Sequence, residues 1–131
     1  MRQDLKHAIY GTPINEWIQG VPGELNRDAV GLWQIVPAGR DGFGLRDAAL
    51  IEFLRQCIDA LLSAGAVPVR SAPGSGYFWI WQKQYGSSHE EIANAVISEW
   101  QLVPDDPLLL VGECPWFARP NPDNPKYVKM D

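Results

Sequence analysis

The stretch LRDAALIEFLRQCIDALLSAG, residues 45–65, decides the fold. Its apolar residues recur at intervals of three and four, a spacing that places them on one face of an α-helix. That face consists of Leu50, Phe53, Leu54, Cys57, Ile58, Leu61 and Leu62, and the other side carries Arg46, Glu52, Arg55 and Asp59. Gly65 suits the left-handed position that ends a helix. The stretch therefore predicts a central amphipathic helix from about Leu45 to Ala64.

A capping box marks the start of a second helix. Ser88 is followed three residues later by Glu91, so each side chain can satisfy a free backbone N–H group of the other. The apolar residues that then share one face are Ile92, Val96 and Trp100. Because Pro104 cannot continue a helix, the pattern predicts one over about 89–101.

Between these two segments the pattern changes to that of β-strands. Val67 and Val69 alternate with other residues, and the run YFWIW, residues 77–81, is aromatic and β-branched. The connector SAPGSG, residues 71–76, has turn chemistry, so we expect a β-hairpin. Pro68 lacks an N–H group and is expected to confine the first strand to a sheet edge.

The rest of the chain has weaker patterns. We expect a short helix at Leu5–Tyr10 and another that begins near Pro13. Asn26 or Asp28 can cap a helix that runs through Gly31–Ile35 and stops at Pro37, and a strand at Leu32–Val36 is the alternative. The apolar run Leu108–Val111 predicts a strand. The spaced prolines of residues 120–131 indicate an extended C-terminal tail.

Length and composition agree with one globular domain. The chain has 131 residues, of which 46% are hydrophobic and 21% charged, close to the average for folded proteins. We therefore expect an α+β fold with a single compact domain over residues 1–119. It is expected to be mainly helical, with the central amphipathic helix and a small β-hairpin or sheet.

The expected location is the cytoplasm. No run of about 18 apolar residues predicts a membrane span, and the N-terminus lacks the apolar run of a signal peptide. Two cysteines, Cys57 and Cys114, are too few for a disulfide framework, so both are expected to be free thiols.

The negative charge is concentrated in one segment. The net charge is −5, and residues 84–118 hold six acidic residues with no lysine or arginine. These acids either cap helices and form a solvated face, or form a patch that attracts a basic partner. Nucleic acid is not an expected partner of so acidic a chain.

The aromatic run offers a second candidate surface. In a strand, residues 77, 79 and 81 face one way, and an exposed face of this kind is typical of an interface centre. Residues 82–85 are expected at its polar rim. The predicted partner-binding residues are Trp79, Trp81, Tyr85, Glu90, Glu91, Asp105 and Asp106.

No motif for catalysis, metal or cofactor binding is present. The glycines at 42–44 and 74–76 do not extend to a phosphate-binding loop, and no cysteine or histidine pair has zinc spacing. We therefore expect no cofactor, no metal and no enzymatic activity. The alternative is a small enzyme of unknown reaction that uses Cys114 or His89.

Several segments together resemble a known family. They are Gly31–Trp33, the helical run Leu50–Leu62 that ends at Gly65, the aromatic stretch Tyr77–Trp81, the capped helix Ser88–Trp100 and the pair Trp116–Phe117. This layout, which spans about residues 29–118, resembles small bacterial immunity proteins of contact-dependent growth-inhibition toxin systems. The resemblance implies a cytoplasmic inhibitor that binds one cognate toxin, often a nuclease. An acidic secretion chaperone for an exported protein is the alternative binding function, and self-association is left open.

Overall fold

The chain folds into a layer of helices packed on one face of a mixed β-sheet. The structure is a computed structural model that describes residues 4–104 and 106–130. Its helices are α1 (Ile14–Gly20), α2 (Leu32–Pro37), α3 (Asp47–Ser63), α4 (His89–Gln101) and α5 (Pro107–Glu113). Short 3₁₀ turns occupy Val21–Asn26 and Lys83–Tyr85, and a π turn occupies Ala38–Gly42.

The two long helices confirm the sequence prediction closely. The apolar face of α3 is buried, and Gly65 takes a φ of +94° while its N–H group donates to the Leu62 carbonyl at 3.0 Å. At the start of α4, the Ser88 hydroxyl accepts from the Glu91 N–H group at 3.1 Å. The Glu91 carboxylate accepts from the Ser88 N–H group at 3.2 Å, which completes the predicted capping box.

The strands form one sheet, and the strand at its centre is the one that the sequence predicts at an edge. They are β1 (Val30–Gly31), β2 (Val67–Arg70), β3 (Trp79–Trp81), β4 (Trp116–Ala118) and β5 (Val128–Lys129), in the spatial order β1-β4-β2-β3-β5. Strands β3 and β5 are parallel, and the other pairs are antiparallel. The hairpin of β2 and β3 confirms the prediction.

The expectation that Pro68 holds β2 at an edge is wrong, because β2 lies between β4 and β3. The Pro68 carbonyl accepts from the Gln82 N–H group at 2.8 Å, just after β3 ends. Since the N–H and carbonyl of one strand residue point the same way, the missing N–H faces the end of β3. Pro68 therefore costs the sheet no hydrogen bond to β3, because the position opposite its missing N–H group lies beyond the last residue of that strand.

The predicted strand at Leu108–Val111 is also wrong, because these residues lie in α5. The Asp106 carboxylate accepts from the Leu108 N–H group at 2.8 Å and so caps the helix. Pro107 occupies the first helical position, where its fixed φ and missing N–H group are tolerated. A short apolar run fits either structure by pattern, and here the capping residues favour the helix.

The N-terminal segments divide between turn, helix and strand. Leu5–Tyr10 forms turns rather than the expected helix, whereas α1 confirms the helix expected near Pro13. The ambiguous segment is a junction, since β1 ends at Gly31 and α2 begins at Leu32. The Gln34 side chain accepts from the Gly31 N–H group at 2.9 Å and stabilises this junction.

Part of the expected C-terminal tail belongs to the sheet. Val128 and Lys129 form β5, which pairs with β3 through Trp79 and Ile80. Before it, the prolines flank a turn in which the Asn124 N–H group donates to the Asn121 carbonyl at 3.0 Å. The sheet therefore extends beyond the boundary expected at residue 119.

Buried apolar residues pack on both faces of the sheet, and the cluster on one face is much larger than the cluster on the other. The larger cluster joins the helices to one face, where Val30 and Phe117 are buried. The opposite face carries a small buried cluster of Ala29, Val69, Ala118 and Val128. The described residues form a single compact α+β domain with a central amphipathic helix and a small sheet, as the sequence predicts.

Candidate functional site

The face of the sheet that points away from the helices carries four of the six tryptophans. Trp79, Trp81 and Trp116 lie on it beside Val69, and Trp33 stands at its margin. We call these four residues the tryptophan face. The rings of Trp79 and Trp116 are 5.5 Å apart between centroids, and those of Trp33 and Trp116 are 6.1 Å apart.

The tryptophan face is half-buried rather than covered. Trp79, Trp81 and Trp116 have intermediate exposure, and Trp33 is 40% exposed. The Trp116 indole N–H group donates to the Val111 carbonyl at 3.0 Å, so its polar atom is satisfied within the fold. Rigid aromatic rings with satisfied polar atoms provide contact area at low entropic cost.

A groove between α3 and α4 gathers acidic side chains. We call it the α3/α4 groove, and its volume is about 590 Å³. Its charged and polar lining residues are Glu52, Arg55, Gln56, Asp59, His89 and Glu90. The first four share one side of α3 because they are spaced by three or four residues. The lining of the groove therefore includes three carboxylates and one guanidinium.

The contacts within the groove leave the carboxylates without lysine or arginine partners among the described residues. Arg55 donates instead to the Asn94 side-chain oxygen at 2.6 Å. Glu52 accepts from the Gln56 amide at 2.9 Å, and Asp59 lies 3.2 Å from Nδ1 of His89. The groove therefore carries a local negative charge even though α3 belongs to a charge-balanced part of the chain.

A second cleft adjoins this groove at the open end of the hairpin. This Trp81 cleft has a volume of about 730 Å³, and its lining includes Val67, Trp81, Lys83, His89 and Ile92. The Lys83 ammonium lies 5.0 Å from the centroid of the Trp81 ring, within range of a cation–π interaction. Because His89 lines both cavities, the acidic groove and the aromatic cleft adjoin one another at the start of α4.

The structure separates the acidic residues that the sequence groups together. Glu90 and Glu91 lie in the first turn of α4, and Asp106 caps α5 beyond its far end. Since a helix rises about 1.5 Å per residue, the first turn of α4 lies roughly 18 Å from the end of that helix. Glu91 serves the capping box, and hydrogen bonds from Ser88 lower the pKa of its carboxyl. Asp105 lies outside the described residues.

Tyr85 is not at the polar rim of the aromatic surface, where the sequence predicts it. It takes part in a hydrogen-bond network inside the fold. Its side chain is 5% exposed, and its hydroxyl lies 2.9 Å from both carboxylate oxygens of Glu99. Arg70 donates to the Tyr85 hydroxyl at 2.8 Å, to Glu99 at 2.6 Å and to the Glu113 carbonyl at 3.0 Å. These contacts tie β2 to α4 and to the end of α5.

The ionisation of Tyr85 provides a test of this network. Burial, and then the hydrogen bond to Glu99, raise the pKa of Tyr85 to about 12. The unfolded chain loses this proton near pH 10, so the neutral phenol stabilises the fold fully below about pH 10 and this contribution is lost as pH rises through about 12. Tyr85→Phe is expected to remove one tyrosine's absorbance change from the latest phase of an ultraviolet pH titration.

The matched control for that titration is Tyr10→Phe, because Tyr10 is exposed. The difference between the two variants isolates the contribution of the buried hydroxyl. If the late phase has the same amplitude in Tyr85→Phe and in the unsubstituted protein, Tyr85 does not hold its proton in the way the network requires.

Cys114 and His89, the two residues considered for an enzyme, lie apart in the fold. Cys114 is buried, and burial followed by the charge of Glu99 raises the pKa of its thiol to about 11. His89 begins α4, ten residues before Glu99, which corresponds to roughly 15 Å along the helix. Cys57 and Cys114 are both free thiols, as expected.

The sequence prediction missed four contributors to these surfaces. Glu52 and Asp59 were placed on the polar side of α3, but their segment is charge-balanced and so was not counted as acidic. Trp33 and Trp116 lie far from residues 77–81 in sequence and join Trp79 and Trp81 only through the sheet. The helical spacing of Glu52 and Asp59 was the available signal for the groove.

Within residues 4–104 and 106–130, no group of three or more histidine, cysteine, aspartate or glutamate side chains is placed to hold a metal ion. In the same part of the chain, no helix combines the length and apolar character needed to cross a membrane.

Comparison with protein-family models, curated proteins and solved structures finds no match to this chain. What the protein does therefore has to be inferred from its own residues and their geometry.

Proposed function

We propose that the protein is a non-enzymatic inhibitor of the immunity-protein class, which binds and neutralises one basic protein toxin. The observation that carries this proposal is the pair of adjoining cavities, the α3/α4 groove and the Trp81 cleft, which share His89. It combines three carboxylates with an aromatic anchor, and the resemblance of the sequence to bacterial immunity proteins supports the same class. A nuclease toxin would suit the site because such enzymes carry basic substrate-binding surfaces.

The two halves of this surface have different physical roles. The carboxylates of Glu52, Asp59 and Glu90 attract a basic partner over distance and so raise the association rate. Trp81 provides large, rigid apolar area once the partner has arrived, and such residues dominate the energy of many interfaces. Binding is therefore expected to form quickly at low salt and to persist through contacts around Trp81.

The partner is to be isolated with tagged protein from native cell extract, washed first at low and then at high salt. The proposal requires more than capture, because a stoichiometric partner must also be toxic and lose its toxicity when the protein binds it. A captured exported protein without toxicity would contradict the proposal and indicate a secretion chaperone instead. The same extract contains the cell's nucleic acids, which the net charge of −5 is expected to repel.

Charge reversal in the groove tests which surface is used. The triple variant Glu52→Lys, Asp59→Lys and Glu90→Lys is expected to slow association with the isolated partner about 100-fold at low salt. The difference is expected to shrink at high salt, because salt screens exposed charges. Association rates measured by surface plasmon resonance over a range of salt concentrations check both expectations.

The matched control reverses three exposed acids outside the groove, at Glu24, Asp41 and Asp123. It changes the net charge by the same amount and is expected to reduce the association rate only a few-fold. Equal rates for the two triple variants would mean that net charge, and not the groove, attracts the partner. Thermal unfolding of both variants establishes that they are folded.

A further inference from the structure

A pocket on the side of the C-terminal turn combines two arginines and three asparagines with apolar residues. It has a volume of about 540 Å³ and lies where the 3₁₀ turn Val21–Asn26 meets the chain around residues 119–127. The lining residues that matter here are Asn26, Arg27, Phe78, Arg119, Asn121 and Asn124. We call this the Arg–Asn pocket.

The side-chain oxygens of its three asparagines are already used within the fold. Asn26 Oδ1 accepts from Arg119 at 2.6 Å, Asn121 Oδ1 from the Asp123 N–H group at 2.9 Å, and Asn124 Oδ1 from the Lys126 N–H group at 3.2 Å. Because these partners are donors, they require an oxygen at each position. The amino half of each amide is therefore left as a donor.

The backbone acceptors of the turn are used as well. The Asn121 carbonyl accepts from the Asn124 N–H group, and the Asn124 carbonyl accepts from the Tyr127 N–H group, both at 3.0 Å. The three amide oxygens and these two carbonyls are therefore occupied, so the asparagine and arginine side chains offer donors to a ligand. Donors of this kind favour an anion.

The charge of the lining residues also favours an anion. Arg27 and Arg119 both line the pocket, and the contact to Asn26 uses one of the five donors of the Arg119 guanidinium. Among the described lining residues none carries a carboxylate, although the whole chain has a net charge of −5. Asp28 lies beside the pocket, 3.4 Å from the Tyr127 hydroxyl.

An exposed aromatic ring completes the pocket. Phe78 is 64% exposed, and its ring centroid is 6.1 Å from that of Tyr127. An exposed phenylalanine ring offers a surface on which a planar group can stack.

We propose that the Arg–Asn pocket binds a phosphate monoester carried on a planar ring system. The phosphate accepts hydrogen bonds from the two guanidinium groups and the asparagine amino groups, and its three terminal oxygens match this number of donors better than the two of a carboxylate. The ring stacks on Phe78. This site is separate from the α3/α4 groove, so it stands whether or not the protein binds a toxin.

The test uses the full chain and adenosine monophosphate as the probe, followed by nuclear magnetic resonance of the arginine and asparagine side-chain N–H signals. We expect saturable shifts at Arg119 and the three asparagines. Inorganic phosphate is expected to bind about tenfold more weakly, equivalent to about 1.4 kcal/mol, because it lacks the ring. Adenosine without phosphate is expected to cause no saturable shift.

Variants separate the site from general attraction to positive charge. Arg27→Gln is expected to weaken binding of adenosine monophosphate about tenfold. Phe78→Ala is expected to reduce it to the level of inorganic phosphate while leaving phosphate binding unchanged. Arg55→Gln, the same charge change in the α3/α4 groove, is the matched control and is expected to have no effect.

Three results would overturn the proposal. They are no saturable shift with adenosine monophosphate, equal weakening by Arg27→Gln and Arg55→Gln, and equal binding of adenosine with and without its phosphate. Arg119→Lys keeps the charge but loses the planar fork, and is expected to weaken binding several-fold.

Discussion

Phe53→Ala is expected to lower the free energy of unfolding by about 3–5 kcal/mol, the usual cost of truncating a buried aromatic residue to alanine. Phe53 is 0% exposed and lies in the middle of α3. Its ring centroid is 5.5 Å from that of Trp17 and 5.7 Å from that of Phe43. Truncation therefore leaves a cavity where the N-terminal segments meet the central helix.

The same substitution at an exposed phenylalanine provides the control. Phe78→Ala removes the same atoms from a ring that is mostly in solvent, so we expect a loss below about 1 kcal/mol. Urea denaturation of both variants measures the two changes. Similar losses in both variants would mean that the packing around Phe53 does not hold the helical layer together.

Arg70→Met is expected to lower the free energy of unfolding by about 2 kcal/mol, because it removes the donor shared by three acceptors. Glu99, the Tyr85 hydroxyl and the Glu113 carbonyl all lose their bond to the guanidinium. The remaining carboxylate of Glu99 is then half-buried without a countercharge. The pair is about one-third exposed, which reduces the loss below that of a fully buried ion pair.

Two variants distinguish this network from an ordinary surface contact. Arg55→Met removes an arginine with a single side-chain hydrogen bond, to Asn94, and is expected to cost less than about 0.5 kcal/mol. Adding Glu99→Leu to Arg70→Met is expected to recover part of the loss, since the unpaired charge is removed. If Arg70→Met costs no more than Arg55→Met, the network contributes little to stability.

Elements whose signals are local were predictable from the sequence. The boundaries of α4 follow from a capping box and an apolar period within its own residues, and the end of α3 at Ser63 is followed by Gly65, which the pattern identifies. The error at Pro68 falls where a neighbour in space decides. Pro68 lies in a central strand because β3 ends beside it, and no feature of residues 67–70 shows where β3 ends.

The candidate site was only partly predictable for the same reason. The sequence identified Trp81 and Glu90, which line the two proposed cavities, and Trp79, which lies on the tryptophan face. However, it grouped acids by position along the chain. That grouping joined Glu90 with Asp106, which caps a different helix. It also placed Tyr85 at a rim, whereas its hydroxyl is bonded to Arg70 and Glu99.

By itself, the sequence determined the two long helices, the hairpin, the α+β class and the uneven distribution of charge, because periodicity, capping and composition act over short distances along the chain. Only the tertiary structure decided which charges and rings share a surface. Packing α3 against α4 brings Glu52 and Asp59 to Glu90, and strand order brings Trp116 to Trp79. Electrostatic attraction and aromatic contact depend on distance in space, and residues far apart in sequence become neighbours only when the chain folds.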